Sequence, residues 1–352
     1  MKKKERIIIA LSGGVDSSVA AFLLKQAGYN IIALFMRNWH DKTLIKNNEC
    51  PWIEDSHDAL TVAEQLDIPF QIIDLSKEYK ERIVDYMIHE YKKGNTPNPD
   101  ILCNREIKFD VFLKYALQLK ADLIATGHYC RKETINSQHK LIQGKDKIKD
   151  QSYFLCQINQ EQLQKIIFPI GHLTKKEVRE IATKNNLITA EKKDSQGLCF
   201  VGKIKLPVFL QQKIESRKGD IIEISQASPL YEKKQKLGNE VSYKKTDGVK
   251  IGEHNGAHCF TIGQRKGLSI GGKKEPLFVI GTDVTENIIY VGMGSKHPGL
   301  FRKNLKIKST QINWLRKDQQ IYQNEKKVFL VRIRHRQKPQ PATIHMTKNY
   351  LY

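Results

Sequence analysis

The chain has 352 residues, 40% hydrophobic and 28% charged, a length for two or three packed domains and a composition typical of a globular protein. Its 59 Lys and Arg outnumber 38 Asp and Glu, and the net charge of +21 favours a polyanionic partner such as nucleic acid, although a basic surface kept for solubility gives the same count. No run approaches the ~18 consecutive apolar residues of a membrane span. Six scattered cysteines (Cys50, Cys103, Cys130, Cys156, Cys199 and Cys259) without a C-x-x-C pair argue against a zinc site or a secreted disulfide framework.

In chain order, Met1-Lys2-Lys3-Lys4 leads into an apolar stretch too short for a signal-peptide core, so the expected location is cytoplasmic. Arg6 to Leu11 and Ile31 to Met36 are Ile-rich runs, as parallel strands buried on both faces require. Between them Ser17 to Gln26 carries Val19, Ala20, Phe22, Leu23 and Leu24 at helical spacing, with Gly28 as a stop. Phe70 to Leu75 and Asp122 to Thr126 repeat the strand pattern; Ala59 to Leu66, Glu78 to Tyr91 and Phe109 to Leu119 repeat the helical one. Alternation of this kind predicts an α/β fold, a doubly wound parallel sheet with ligands at the carboxyl ends of its strands. Thr174 with Glu177 predicts a capping box opening a helix to Asn185. Beyond about Leu206 helical periods fade. Short alternating runs (Asp220 to Ile224, Leu277 to Ile280, Ile288 to Val291, Val328 to Ile333) predict small β-rich modules.

The strongest local signal is strand, then Ser12-Gly13-Gly14-Val15-Asp16-Ser17-Ser18, then helix. Paired glycines let the backbone curl so that successive N–H groups face an anion, and the helix N-terminus adds partial positive charge. Ser12, Ser17 and Ser18 can donate hydroxyl hydrogen bonds, and Asp16 can hold Mg²⁺ or its water. The spacing matches neither a Walker loop nor G-x-G-x-x-G. Met36 and Gly127 close strands where adenine and ribose would lie.

Asn98-Pro99-Asp100-Ile101-Leu102-Cys103-Asn104 reads as a stiffened loop entering a helical turn, with Asp100 and Cys103 on one face. A free thiol with a pKa of about 8.5 needs a base or a positive field to be a nucleophile at neutral pH. Asp100 is better suited to exchanging a proton with a substrate base, since its charge opposes a thiolate. Alone, the same residues fit a helix cap and a small buried thiol. Cys199 lies in Asp194-Ser195-Gln196-Gly197-Leu198-Cys199-Phe200-Val201-Gly202, between glycines, and alone is equally compatible with a buried strand cysteine.

The loop S-G-G-V-D-S resembles the pyrophosphate-binding loop of the ATP-pyrophosphatase (PP-loop) superfamily. N-P-D-I-L-C-N and D-S-Q-G-L-C-F-V-G are similar to the two cysteine motifs of the bacterial tRNA uridine-34 2-sulfurtransferases. Thr126-Gly127-His128-Tyr129, Lys149-Asp150-Gln151-Ser152-Tyr153-Phe154-Leu155, Phe168-Pro169-Ile170-Gly171 and Phe260-Thr261-Ile262-Gly263-Gln264-Arg265-Lys266-Gly267-Leu268 follow in family order.

That resemblance implies a catalytic PP-loop domain over 1–207, a central β-rich domain over 208–280 and a C-terminal β-barrel-like, RNA-binding domain over 281–352, apparently shortened. It implies ATP and Mg²⁺, with Ala10, Leu11, Ser12, Gly13, Gly14, Val15, Asp16, Ser17, Met36 and Gly127 holding the nucleotide and no resident metal site. The substrate would be the anticodon stem-loop of tRNA. Asn98, Pro99 and Asp100 would line the wobble base, and Lys149, Asp150, Gln151, Arg334 and His335 would contact the RNA. Cys199 would carry a persulfide loaded by a sulfur donor, a cysteine desulfurase or sulfur-relay protein. Cys103 would be its partner, a Cys103–Cys199 disulfide closing the cycle, and Asp100 the acid/base. The family more often has Tyr at His335. Independently of family, Arg332, Arg334 and Arg336 alternate, and on a strand would share one face. Two other readings compete: a different ATP-pyrophosphatase such as a lysidine or amidotransferase-type synthetase, and a non-catalytic RNA-binding protein on a dead nucleotide fold. The paired cysteines and the intact loop argue against both.

Overall fold

The computed structural model describes residues 5–38, 51–194, 206–232 and 241–352; Cys50 and residues 195–202, with Cys199, lie outside the described part. The chain divides into two compact units: Met1–Asp85, Asn98–Lys205 and Asn313–Gln320 form one, and Tyr86–Pro97, Leu206–Ile312 and Ile321–Tyr352 the other.

The first unit is built on β1 (Arg6–Ala10), α1 (Val15–Gln26), β2 (Asn30–Arg37), α2 (Pro51–Gln65) and β3 (Phe70–Asp74). Ile7, Ile8 and Ile9 are wholly buried, because β1 is central and helices cover both faces, which is why its sequence is continuously apolar rather than alternating. Next, α3 (Ser76–Tyr79) runs into a π-helical turn over Lys80–Val84, and the chain passes at Asp85 into α4 (Asp85–Lys92), whose residues from Tyr86 on belong to the second unit. Then α5 (Pro99–Leu102), a π-helical segment over Cys103–Val111 and α6 (Phe112–Gln118) succeed one another. The helix expected to begin near Phe109 therefore starts ten residues earlier, at Pro99, because the Asn98 side chain caps it.

After β4 (Leu123–Ala125) comes a hairpin, β5 (Cys130–Ile135) and β6 (Gln138–Gln143), then α7 (Gln160–Gln164), β7 (Ile166–Ile167) and α8 (Lys175–Lys184). α8 opens with the expected capping box of Thr174 and Glu177. The sheet order is β3-β2-β1-β4-β7, all parallel. From β1 the chain winds outward in both directions, so the crevice beyond the carboxyl ends of β1 and β4 is the topological switch point, where doubly wound sheets bind ligands.

The second unit opens on α9 (Leu206–Lys213), a short helix not expected from the sequence, and then turns β-rich. β8 (Gly219–Glu223), β9 (Val249–His254), β10 (Leu277–Asp283) and β11 (Ile288–Met293) form one sheet in the order β10-β11-β8-β9. Alternate residues serve two cores: Ile221, Ile289 and Val291 enter one, Ile222, Ile288 and Tyr290 the other. β12 (Ile307–Lys308) pairs with β15 (Tyr350–Leu351), and β13 (Lys326–Val331) with β14 (Gln340–His345).

β13 stops at Val331, which corrects the expectation of a strand through the arginine run. The chain turns instead: the Arg332 guanidinium donates to the His335 carbonyl at 3.3 Å, and the Gln337 N–H to the Arg334 carbonyl at 3.1 Å. Arg332, Arg334 and Arg336 thus sit on a hairpin connection rather than on one strand face. Among the described residues no helix is long and apolar enough to cross a membrane.

Candidate active site

Ala10 ends β1 and Leu11 is buried, its N–H bonded to the Leu34 carbonyl at 3.0 Å, so the chain emerges at the switch point with Ser12. Val15, Asp16 and Ser17 are the first three residues of α1, and their N–H groups have no intrahelical acceptor. The N-cap is Gly14, and no side chain caps the helix. An uncapped N-terminus at this place is ready for an anion.

The serines are used differently from expectation. Ser17 Oγ donates to the Gly14 carbonyl at 3.0 Å and accepts the Ser12 N–H at 3.2 Å; Ser18 Oγ donates to the same carbonyl at 2.9 Å. Ser12 Oγ lies 3.2 Å from Ser17 Oγ, so all three hydroxyls brace the loop from inside, and the anion-facing donors are mainly backbone. Gly13 has φ 71°, and a Cβ there would run into the Asp55 carbonyl of α2. Gly127, just past β4, backs the same loop, since a Cβ would lie 2.8 Å from the Ser17 nitrogen and 2.9 Å from the Asp16 carbonyl carbon. Met36 is half-buried near the end of β2, in register with Ile73.

Asp16 is the hub of a charged cluster that sequence reasoning missed. Its Oδ1 accepts the Tyr129 hydroxyl at 2.6 Å and the Lys175 ammonium at 2.7 Å. Lys175 also holds Asp194 Oδ1 at 2.7 Å, and Asp194 takes Lys149 at 2.6 Å and Arg179 at 3.1 Å. Burial alone would raise the Asp194 pKa, but hydrogen bonds from Lys149 and Lys175 carry it down to about 2. Tyr129 lies in a motif the sequence singled out. Lys175, 159 residues from Asp16, gave no signal beyond its place beside the cap Thr174.

On the other segment, Asn98 Oδ1 accepts the N–H groups of Asp100 and Ile101 at 3.1 and 3.2 Å, with Pro99 in the first turn. Asp100 is half-buried, three residues before Cys103, and Cys103 is 1% exposed where the π-helical segment begins. Asn104 is also buried; its Nδ2 donates to the Phe154 carbonyl at 3.1 Å while its Oδ1 has no partner among the described residues. A bonded path joins this helix to the phosphate loop. Phe154 N–H meets the Gln151 carbonyl at 3.0 Å, Gln151 Oε1 accepts the Tyr129 N–H at 2.9 Å, and Tyr129 reaches Asp16. Cys130, Cys156 and Cys259 are free thiols. Burial pushes the Cys130 and Cys259 thiols upward, away from nucleophilic character at neutral pH, whereas Cys156 is exposed.

His128 is enclosed between Phe109 and Phe168, with Nδ1 2.7 Å from the Thr126 hydroxyl oxygen. Burial drives its pKa well below the usual value, with the Lys108 charge adding to the effect, so the ring is neutral at pH 7. Since the unfolded chain binds this proton below about pH 6.5, the residue costs stability as pH falls through that value and nothing above it. The His128 ring resonances are expected to stay fixed from pH 8 to pH 6; a titration midpoint near 6.5 would contradict this.

Of the expected RNA-contacting trio, Lys149 belongs to the Asp194 cluster, whereas the buried Asp150 turns inward, accepting the Gly144 N–H at 3.1 Å and the Ser152 hydroxyl at 2.9 Å. Gln151 braces Tyr129. In the second unit Arg334 is exposed and donates to the Ile262 carbonyl at 2.9 Å, bringing Arg334 and half-buried His335 beside the Arg265-Lys266 loop.

Residues 5–203 match a family profile described as a tRNA methyl transferase HUP domain, and 208–293 one described as a tRNA methyl transferase PRC-barrel domain. Proteins named tRNA-specific 2-thiouridylase from Flavobacterium johnsoniae and Christiangramia forsetii are each 55% identical over 363 residues, covering 99% of this chain and 92% of theirs. The Bacillus subtilis protein of that name is 42% identical over 342 residues, covering 97% of this chain and 85% of its own. Profiles and relatives differ in the group their names transfer; the relatives, matched almost end to end, carry thiolation.

Proposed function

The chain belongs to the tRNA-specific 2-thiouridylase family, sulfurtransferases acting on tRNA, and from that premise we propose that it uses ATP to convert the wobble uridine (position 34) of tRNA to 2-thiouridine. The observation that carries the ATP half is the uncapped N-terminus of α1 behind the twin-glycine loop, backed by Gly127 at the switch point. The net charge of +21 and the Arg334 hairpin beside Arg265 and Lys266 support the RNA half.

A carbonyl oxygen is a poor leaving group and needs activation. The uracil O2 attacks the α-phosphate of ATP while Asp100 takes the N3 proton, and pyrophosphate departs along the loop of residues 12–17. A persulfide on Cys199, loaded by a cysteine desulfurase or relay protein, adds to C2 and AMP leaves. Cys103 then attacks the Cys199 sulfur. The S–S bond to the base breaks, 2-thiouridine takes back a proton, and a Cys103–Cys199 disulfide awaits a reductant. Asn98, Pro99 and Asp100 line the base, while Lys149, Gln151, Arg334 and His335 meet the RNA.

Magnesium fits as an ion carried by the phosphates. Asp16 Oδ2 has no hydrogen-bond partner among the described residues, and no group of three metal-ligating side chains occurs among them, so one carboxylate oxygen would complete a phosphate-borne shell. The reading is cytoplasmic, where tRNA and donor meet. Incubation with tRNA, ATP, Mg²⁺ and a sulfide source, followed by nucleoside mass spectrometry, should yield 2-thiouridine at the wobble position. Its absence, with tRNA bound, overturns the proposal.

A further inference from the structure

We propose that Asn104 is a positioning residue for the sulfur step, holding the Cys103 thiol in the frame that also fixes the phosphate loop; this rests on the Cys103 reading above. Cys103 and Asn104 stand where α5 passes into the π-helical segment, and they are 1% and 3% exposed. A π-helical pitch is rare and concentrates at functional sites. α5 has four residues, too few to be held by its own hydrogen-bond ladder. Side chains fix its two ends instead. Asn98 caps the start; past the end, Asn104 Nδ2 donates to the Phe154 carbonyl at 3.1 Å and the Arg105 guanidinium to Gln157 Oε1 at 2.7 Å. The stretch they grip is the one in which Gln151 braces Tyr129, whose hydroxyl reaches Asp16.

The Phe154 carbonyl can only accept, so the Asn104 amide is oriented with its nitrogen toward it. Its Oδ1 is then buried with no hydrogen-bond partner among the described residues. A buried acceptor left unpaired opposes folding by at least as much as one hydrogen bond supports it. The amide therefore adds little net stability, and an apolar side chain of the same branched shape would fill the space as well. A polar residue kept against that cost points to placement of its neighbour, Cys103. The sulfur step needs that placement, because the thiol must meet the Cys199 sulfur while that sulfur is bonded to uracil C2, and a displacement near 1 Å costs about 10²-fold in rate. Adenylation of O2 does not use the thiol.

The test compares single-turnover thiolation by the persulfide-loaded enzyme with tRNA-dependent ATP–pyrophosphate exchange in the absence of a sulfur donor, where adenylation is reversible. Asn104→Leu should melt near the wild-type temperature, keep exchange within about twofold and lower thiolation by roughly 10²-fold. Wild-type thiolation, or equal losses in both reactions, overturns the inference. If Asn104→Leu does not fold, Asn104→Asp decides. Its neutral acid can donate to the Phe154 carbonyl as the amide does, whereas its carboxylate repels that oxygen, and burial favours the neutral form. Thiolation relative to exchange should therefore match wild type near pH 5.5 and fall by roughly tenfold or more near pH 8.5. The other ionisable groups on these elements, Asp100, Arg105, Glu106, Lys108, Asp150 and Tyr153, are common to both proteins and cancel in the comparison. A comparison that does not change with pH overturns the inference. Wild-type thiolation by Cys103→Ser would overturn the Cys103 reading, and this inference with it; an inactive Cys103→Ser beside a fully active Asn104→Leu overturns this inference alone.

Discussion

Cys103→Ser should lower single-turnover thiolation by roughly 10³-fold or more while leaving ATP–pyrophosphate exchange near the wild-type rate. In the proposed scheme adenylation of uracil O2 uses no sulfur, whereas release of sulfur from the persulfide requires a thiolate to attack the Cys199 sulfur. A serine hydroxyl, far less acidic than a thiol, makes no comparable nucleophile at neutral pH. Cys103 is almost fully buried at the head of a π-helical segment, and an oxygen in place of sulfur is smaller, so the fold should survive. The two cysteines should also fail differently. Without Cys103 the base remains joined to Cys199 through the disulfide, so a tRNA–protein adduct released by dithiothreitol should accumulate. Cys199→Ser should give neither adduct nor thiolated base. Robust turnover in either variant sinks the two-cysteine scheme, and an adduct in Cys199→Ser would reverse the assigned roles.

What the sequence disclosed follows how local each interaction is. The phosphate loop was legible because strand, twin glycine and helix start are contiguous, and the capping box at Thr174 because its partners are three residues apart. The cluster around Asp16 was not. Tyr129 and Lys175 reach it from 113 and 159 residues away, and nothing in their neighbourhoods marks the destination. The serines show a subtler limit, for composition suggests three hydroxyl donors while the geometry turns Ser17 and Ser18 onto the Gly14 carbonyl. The hairpin β5–β6 escaped notice because Asn136 and Ser137 both take positive φ, 49° and 61°, without the glycine that usually signals such a turn. The arginine run was misread as strand because alternation is also what a hairpin connection can carry.

The twin glycines should separate sharply under substitution. Gly13→Ala places a side chain at φ 71° and drives its Cβ into the Asp55 carbonyl, which belongs to helix backbone and cannot swing aside. A left-handed alanine costs about 1–2 kcal/mol, and overpacking adds about 1–3 kcal/mol, so thermal stability should fall measurably. A displaced loop should also cut kcat/KM for ATP by roughly 10²-fold, because a shift near 1 Å suffices for that loss. Gly14→Ala differs in kind. Gly14 has φ −101°, and the nearest atom to an added Cβ is Ser12 Oγ at 3.7 Å, an ordinary contact, so stability should change by no more than about 0.5 kcal/mol. Exchange by Gly14→Ala then reports on the ligand alone. Normal stability with lost exchange means the phosphates approach Gly14 too closely to admit a methyl group. If Gly13→Ala melts at the wild-type temperature, the close approach of α2 to the loop is not what requires glycine there.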